Sequence, residues 1–247
     1  MDVEFTLLIM KCQLLLLIFL LLAGASGCKS ETQSSSSKNL AYEMIFVQGG
    51  SYYKTNNSGK GENIVTINSF YVGRDEVSQE LWTSVMGENP SYNQGQSRPV
   101  ESVSYEDVID FIDRLNELTG EEYRLPTNAE WEFAARGGTQ SYSYWELAEK
   151  RSSEIDILGD ELPNPNELGI YNMTTSVCEW VSDKYSEDYY ERDNPQGPKI
   201  TFWHPSYCFR GGYFGDNTMK VIRTTFHGDK ESFVYEWLGF RLAKSIN

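Results

Sequence analysis

The chain has 247 residues, 40% of them hydrophobic and 23% charged, and its formal net charge is −15. That length allows one sizeable domain or two small ones. The acidity excludes the basic face that would neutralise phosphates, and with it nucleic acid as a partner; it keeps the protein soluble and would tolerate cations without itself marking a metal site.

The N-terminus opens as a targeting segment. In "MKCQLLLLIFLLLAGASGCKS", Lys11 is a minimal basic region, Leu14 to Leu22 is an unbroken apolar run, and small residues Gly24 to Gly27 precede Cys28. The run is short for a stable membrane span and reads as a secretory signal over residues 1–27. The small residues ending at a cysteine resemble a bacterial lipobox, which makes Cys28 the expected lipidation site; an ordinary signal cut nearby or an uncleaved anchor is the alternative. Residues 28–41 are polar and serine-rich, a flexible tether that cannot form a core. The expected location is the bacterial cell envelope, periplasmic or surface-exposed, with the membrane as a partner through acyl chains. Only Cys178 and Cys208 remain in the part beyond. In an oxidising compartment they could pair as a disulfide; two buried thiols are the equal alternative.

From 42 to 247 the chain reads as one domain. "MIFVQGGSYY" (44–53) and "IVTINSFYVGRDEV" (64–77) have the apolar and alternating patterns of strands. Ser78 caps a helix carrying Leu81, Trp82, Val85 and Met86, stopped by Gly87. Ser104 caps a longer one, with Asp107 as its capping-box acid and Val108, Phe111, Ile112, Leu115 and Leu118 at helical spacing; Gly120 ends it. In "YRLPTNAEWEFAARGG" (123–138), Thr127 and Glu130 form a T-x-x-E box and Trp131, Ala134 and Ala135 form an apolar face. After 138 the periodicity fades. Gly, Pro, Asn and aromatic residues dominate, with strand-like pieces at "VCEWVSD" (177–183) and "GFRLAK" (239–244). A few helices followed by irregular, aromatic-rich chain predict an α+β domain with little regular secondary structure. Arg210 and Arg241, each beside glycine and aromatics, read as ion-pair anchors of the fold. His204 and His227 are the only histidines and form no metal-binding spacing. The acidic loop "DILGDELPNPNE" (156–167) reads as solvated.

Six stretches in this order ("FVQGGSYY", "RDEVSQELW", "RPVESVSYEDVIDFIDRLNELTGEEYRLPTNAEWEFAARGG", "PNELGIYNMTTSVCEWVSD", "FRGGYF" and "LGFRLA") resemble the formylglycine-generating enzyme, or sulfatase-modifying factor, domain over roughly residues 44–244. The resemblance implies a C-type-lectin-like α+β fold. It also implies oxidation of a sulfatase cysteine at a copper ion held by two cysteines shortly after the RGG motif, where soft thiolates select Cu(I). Here the stretch 210–232 holds no cysteine, so no catalytic residue carries over and copper is not expected. The family's calcium motif appears as "GIYNMTTSVCEW", with Glu179 retained and Ser176 in place of an asparagine, which leaves at most a weak calcium site at Glu179. The resemblance further implies a non-catalytic envelope lipoprotein, acting as a binding or structural module in an envelope assembly or for a surface ligand. The alternative is a formylglycine-generating or related oxidoreductase with an atypical metal site. In ligand-binding members the contact surface lies in the C-terminal part. That points to Tyr213, Phe214, Asp216, Asn217, Phe226, Phe233, Tyr235 and Trp237, with core packing as the other reading of the aromatics.

Overall fold

The computed structural model describes residues 40–55, 61–138, 165–173, 176–184, 207–212 and 234–246, all within the unit Asn39–Asn247. The signal, the tether with Cys28, both histidines, most of the 156–167 loop and the surface candidates Tyr213, Phe214, Asp216, Asn217, Phe226 and Phe233 lie outside the described residues. No described helix is long and apolar enough to cross a membrane.

Period-two patterning builds the first strands. In β1 (Met44–Val47) and β4 (Phe70–Gly73), paired antiparallel, Val47 lies opposite Phe70 and Phe46 opposite Tyr71. Val47, Phe70 and Val72 face inward and are buried, while Phe46 faces out, as the alternation of side chains across a sheet requires. β2 (Gly50–Thr55) and β3 (Gly61–Ile67) form a separate hairpin in which buried Tyr52 meets buried Val65. Chain ends close the first sheet: β9 (Ala243–Ser245) pairs with β4 and with β5 (Tyr123–Arg124), giving the order β1-β4-β9-β5.

Three described helices follow the expected caps. In α1 (Gln79–Met86) the Ser78 hydroxyl accepts the Leu81 N–H, and Gly87 closes the helix with φ 92°. In α2 (Tyr105–Thr119) Ser104 and Asp107 cap each other's backbone at 3.1 and 2.9 Å, and Gly120 ends it with φ 72°. In α3 (Asn128–Ala135) Thr127 and Glu130 repeat the same box at 3.1 and 2.8 Å. Each such cap contributes about 1 kcal/mol. One assignment needs correction: Leu118 is 60% exposed. Its angular position repeats that of buried Phe111 two turns earlier, so periodicity marked it for the core, but at the end of α2 that position is exposed.

The third sheet divides the domain into two apolar clusters. β6 (Cys178–Lys184) lies between antiparallel β7 (Tyr207–Arg210) and parallel β8 (Leu238–Phe240). Cys178, Trp180 and Phe209 face a cluster built on α1 and α2, where Trp82 stacks on Phe111 at 5.0 Å and Phe240 packs edge-on to both. Val181 and Cys208 face the other cluster, with Val47, Tyr52, Phe70, Trp131 and Phe133. The run "GFRLAK" is therefore two strands in two sheets, not one. The chain leaves β8 at Phe240 and re-enters as β9 at Ala243, and Arg241 sits at the switch.

Candidate functional site

The most unusual chemistry of the described residues is a seam of buried charge along this dividing sheet. β6 places Glu179 on the face opposite Trp180. It is fully buried, and its carboxylate accepts two hydrogen bonds from Arg241, from Nε to Oε2 at 2.6 Å and from Nη2 to Oε1 at 2.7 Å. The indole Nε1 of Trp131, from α3, donates to the same Oε2 at 2.7 Å. Arg241 spends its remaining donors on the carbonyls of Gly73 and Tyr171 at 3.0 Å, so one side chain ties β4, β6 and the 170–173 segment together. A planar fork of this kind suits arginine and not lysine.

Glu76 lies on the other side of that guanidinium, 4.0 Å from Nη2. Its Oε2 accepts from Asn172 Nδ2 at 3.0 Å, while Oε1 has no side-chain partner among the described residues. Burial drives its carboxyl up to about 8, with Glu179 adding to the rise and Arg241 opposing it. Tyr42 reaches the same place. It donates to the Asp75 carbonyl and accepts from Leu242 N, and burial raises its phenol far above the usual range.

The seam continues beyond Trp131. Arg210 lies over the indole ring at 5.6 Å, a cation–π distance, and donates to Glu132 Oε2 at 2.6 Å. The other oxygen of Glu132 takes Arg136, one helical turn on, and Arg136 in turn lies over Tyr52 at 5.0 Å. Asp183, at the end of β6, accepts the Asn128 N–H at 2.6 Å. Its carboxyl is raised by burial, against the pull of Arg210. At the surface Arg124 binds Glu130 with two bonds of 2.7 and 2.8 Å, locking the capping box from outside.

The sequence identified Arg210 and Arg241 as anchors, and both are fully buried. It missed Glu76, Glu132, Arg136 and Asn172. One signal was available for Glu132 and Arg136. "WEFAA" is apolar nearly all round, the mark of a helix buried on every side, so any charge in it must pair inside.

Cys178 and Cys208 are both buried and are not joined to each other. They lie on adjacent strands but on opposite faces, Cys178 in one cluster and Cys208 in the other. Their side chains point to opposite faces of the sheet, a geometry that suits neither a disulfide nor a shared metal. Cys178 donates instead to the Gly211 carbonyl at 3.4 Å, and burial pushes the Cys208 thiol up to about 12.

Calcium fits Glu179 no better. A calcium ligand turns its lone pairs toward the ion, whereas three donors already hold this carboxylate inside a sealed site. No group of three His, Cys, Asp or Glu side chains among the described residues could hold a metal. Of the surface candidates, Tyr235 and Trp237 are described. Both are half-buried; Tyr235 is stacked on Trp237 at 4.4 Å, and Trp237 packs on Phe209.

An α+β domain of three small sheets, held by an internal ion network, is a scaffold with a fold of its own rather than a common layered one. The chain matches the sulfatase-modifying factor enzyme 1-like domain over residues 29–246 and belongs to that family. Among similar proteins, "Chaperone protein LppX" of Paenibacillus barcinonensis is 30% identical over 247 residues, covering 75% of this chain and 84% of that one. A formylglycine-generating enzyme of Thermomonospora curvata is 30% identical over 171 residues, 54% of this chain and 54% of the enzyme; the chain thus spans about half of that enzyme. Treponema denticola variable protein 1 has the same fold, with a TM-score of 0.69 at 24% identity over 83% of this chain and 95% of that one.

Proposed function

We propose that this protein is a cell-envelope lipoprotein, acylated at Cys28, whose domain binds another envelope protein and performs no oxidation. The observation that carries the non-catalytic reading is the state of the cysteines. The segment after the RGG motif, 210–232, has none, and Cys178 and Cys208 face apart in separate apolar clusters. A copper site needs two convergent thiolates. The anchor rests on the signal, the small residues before Cys28 and the serine-rich tether. The chaperone name of the Paenibacillus relative, which matches most of this chain, supports a role in holding a protein rather than modifying one.

Extraction from its own membrane followed by intact-mass measurement and in-membrane crosslinking tests this reading. The expected product begins at Cys28, carries acyl chains and crosslinks to a second envelope protein. An unacylated chain that crosslinks to nothing would overturn it.

A further inference from the structure

The buried seam holds four carboxylates, those of Glu76, Glu179, Glu132 and Asp183, and three guanidinium groups, those of Arg241, Arg210 and Arg136. The charges do not balance evenly along it. Glu132 and Asp183 sit among Arg136 and Arg210, two against two. Glu76 and Glu179 share Arg241 alone, two against one, and Glu179 takes both strong bonds of the fork. Glu76 is left with the amide of Asn172 on one oxygen and, among the described residues, no side-chain partner on the other.

We propose that Glu76 keeps a proton in the folded domain at neutral pH, and that this proton and the Arg241 guanidinium together neutralise the two carboxylates at the junction of the two apolar clusters. A buried, unpaired carboxylate is too costly to persist, and the group neutralises instead. The other groups facing Glu76 do not offer a charge to replace the proton. Tyr42, from the segment before β1, is neutral; Asn172 is an amide; Glu179, from β6, repels. Arg74 is turned outward to Glu43 and Asp75.

The position gives the proton structural leverage. Val77, the next residue, donates its N–H to the Phe240 carbonyl and accepts from Val100 N, so Glu76 adjoins the point where β8, the 99–101 segment and the α1 N-terminus meet. Ionisation would load this junction with an unpaired charge. Because the folded-state value of about 8 lies above the ordinary glutamate value of 4.5, the folded state binds the extra proton. The stabilisation is complete below 4.5 and is lost as pH rises through 8. The domain is thus less stable above that pH range than below it.

Thermal unfolding of the detergent-solubilised full chain from acid to alkaline pH tests this. Wild type should lose about 5 °C or more relative to Glu76→Gln as pH rises through that range, because glutamine mimics the protonated acid. Parallel profiles for the two proteins would overturn the proposal. Should the variant fail to fold, infrared difference spectroscopy of wild type decides. A buried protonated-carboxyl band at neutral pH that bleaches on alkalinisation is expected, and its absence refutes the assignment. Calcium chloride added at neutral pH is the third arm. A rise in the wild-type midpoint without that band would mean that a divalent cation, and not a proton, balances Glu76.

Discussion

Arg241→Met should destabilise the domain by about 3–5 kcal/mol, because it leaves the Glu179 carboxyl group fully buried and without its partner. Against a total stability of about 5–15 kcal/mol this removes a large share of the folded population. The loss should be strongly non-additive. In the double variant Arg241→Met, Glu179→Gln the uncompensated charge is gone, and the second change should restore a large part of the loss. Guanidinium denaturation followed by tryptophan fluorescence measures all three proteins. A loss below about 1 kcal/mol in the single variant would show that the pair behaves like a surface salt bridge.

The second large effect belongs to Trp131. Its side chain is fully buried, donates to Glu179 and lies under Arg210, so it joins the two halves of the seam. Trp131→Ala should cost about 3–5 kcal/mol through the cavity it leaves. Trp131→Phe keeps most of the apolar contact and removes the indole N–H. It should cost about 1.5–3 kcal/mol, the range of a hydrogen bond to a charged group. The order Ala worse than Phe, both worse than wild type, is readable in the same denaturation experiment. A silent Trp131→Phe would mean that Arg241 alone satisfies Glu179.

The parts legible in the sequence are those written locally. Ser104 with Asp107, Thr127 with Glu130, and the glycines at 87 and 120 each announce a helix end within a few residues, and each does what it announces. The order of the motifs fixed the family. Arg210 and Arg241 were recognisable because arginine among glycine and aromatic residues has few roles except an internal one. What was hidden is pairing across the chain. Arg241 meets Glu179 62 positions away, and Glu76 meets Asn172 across 96. No periodicity encodes such distances. Strand parity was equally hidden. Cys178 and Cys208 lie on neighbouring strands, and only the register of β6 on β7 shows that their side chains part to opposite faces. The split of 239–244 follows from the same cause. Arg241 must turn inward to Glu179, and the chain changes sheets where it does so.

"YRLPTNAEWEFAARGG" gathers these lessons. Its capping box is held by Arg124, and its Trp131, Glu132 and Arg136 enter the buried seam. It is the scaffold's keystone.

The central claim is that this scaffold has kept the family's fold without its copper chemistry. The most direct measurement loads the purified, reduced protein with Cu(I), quantifies bound metal, and incubates it with oxygen and a Cys-x-Pro-x-Arg peptide under mass spectrometry. The account predicts no stoichiometric copper and no formylglycine. Stoichiometric copper with turnover, both lost in Cys208→Ser, would contradict it.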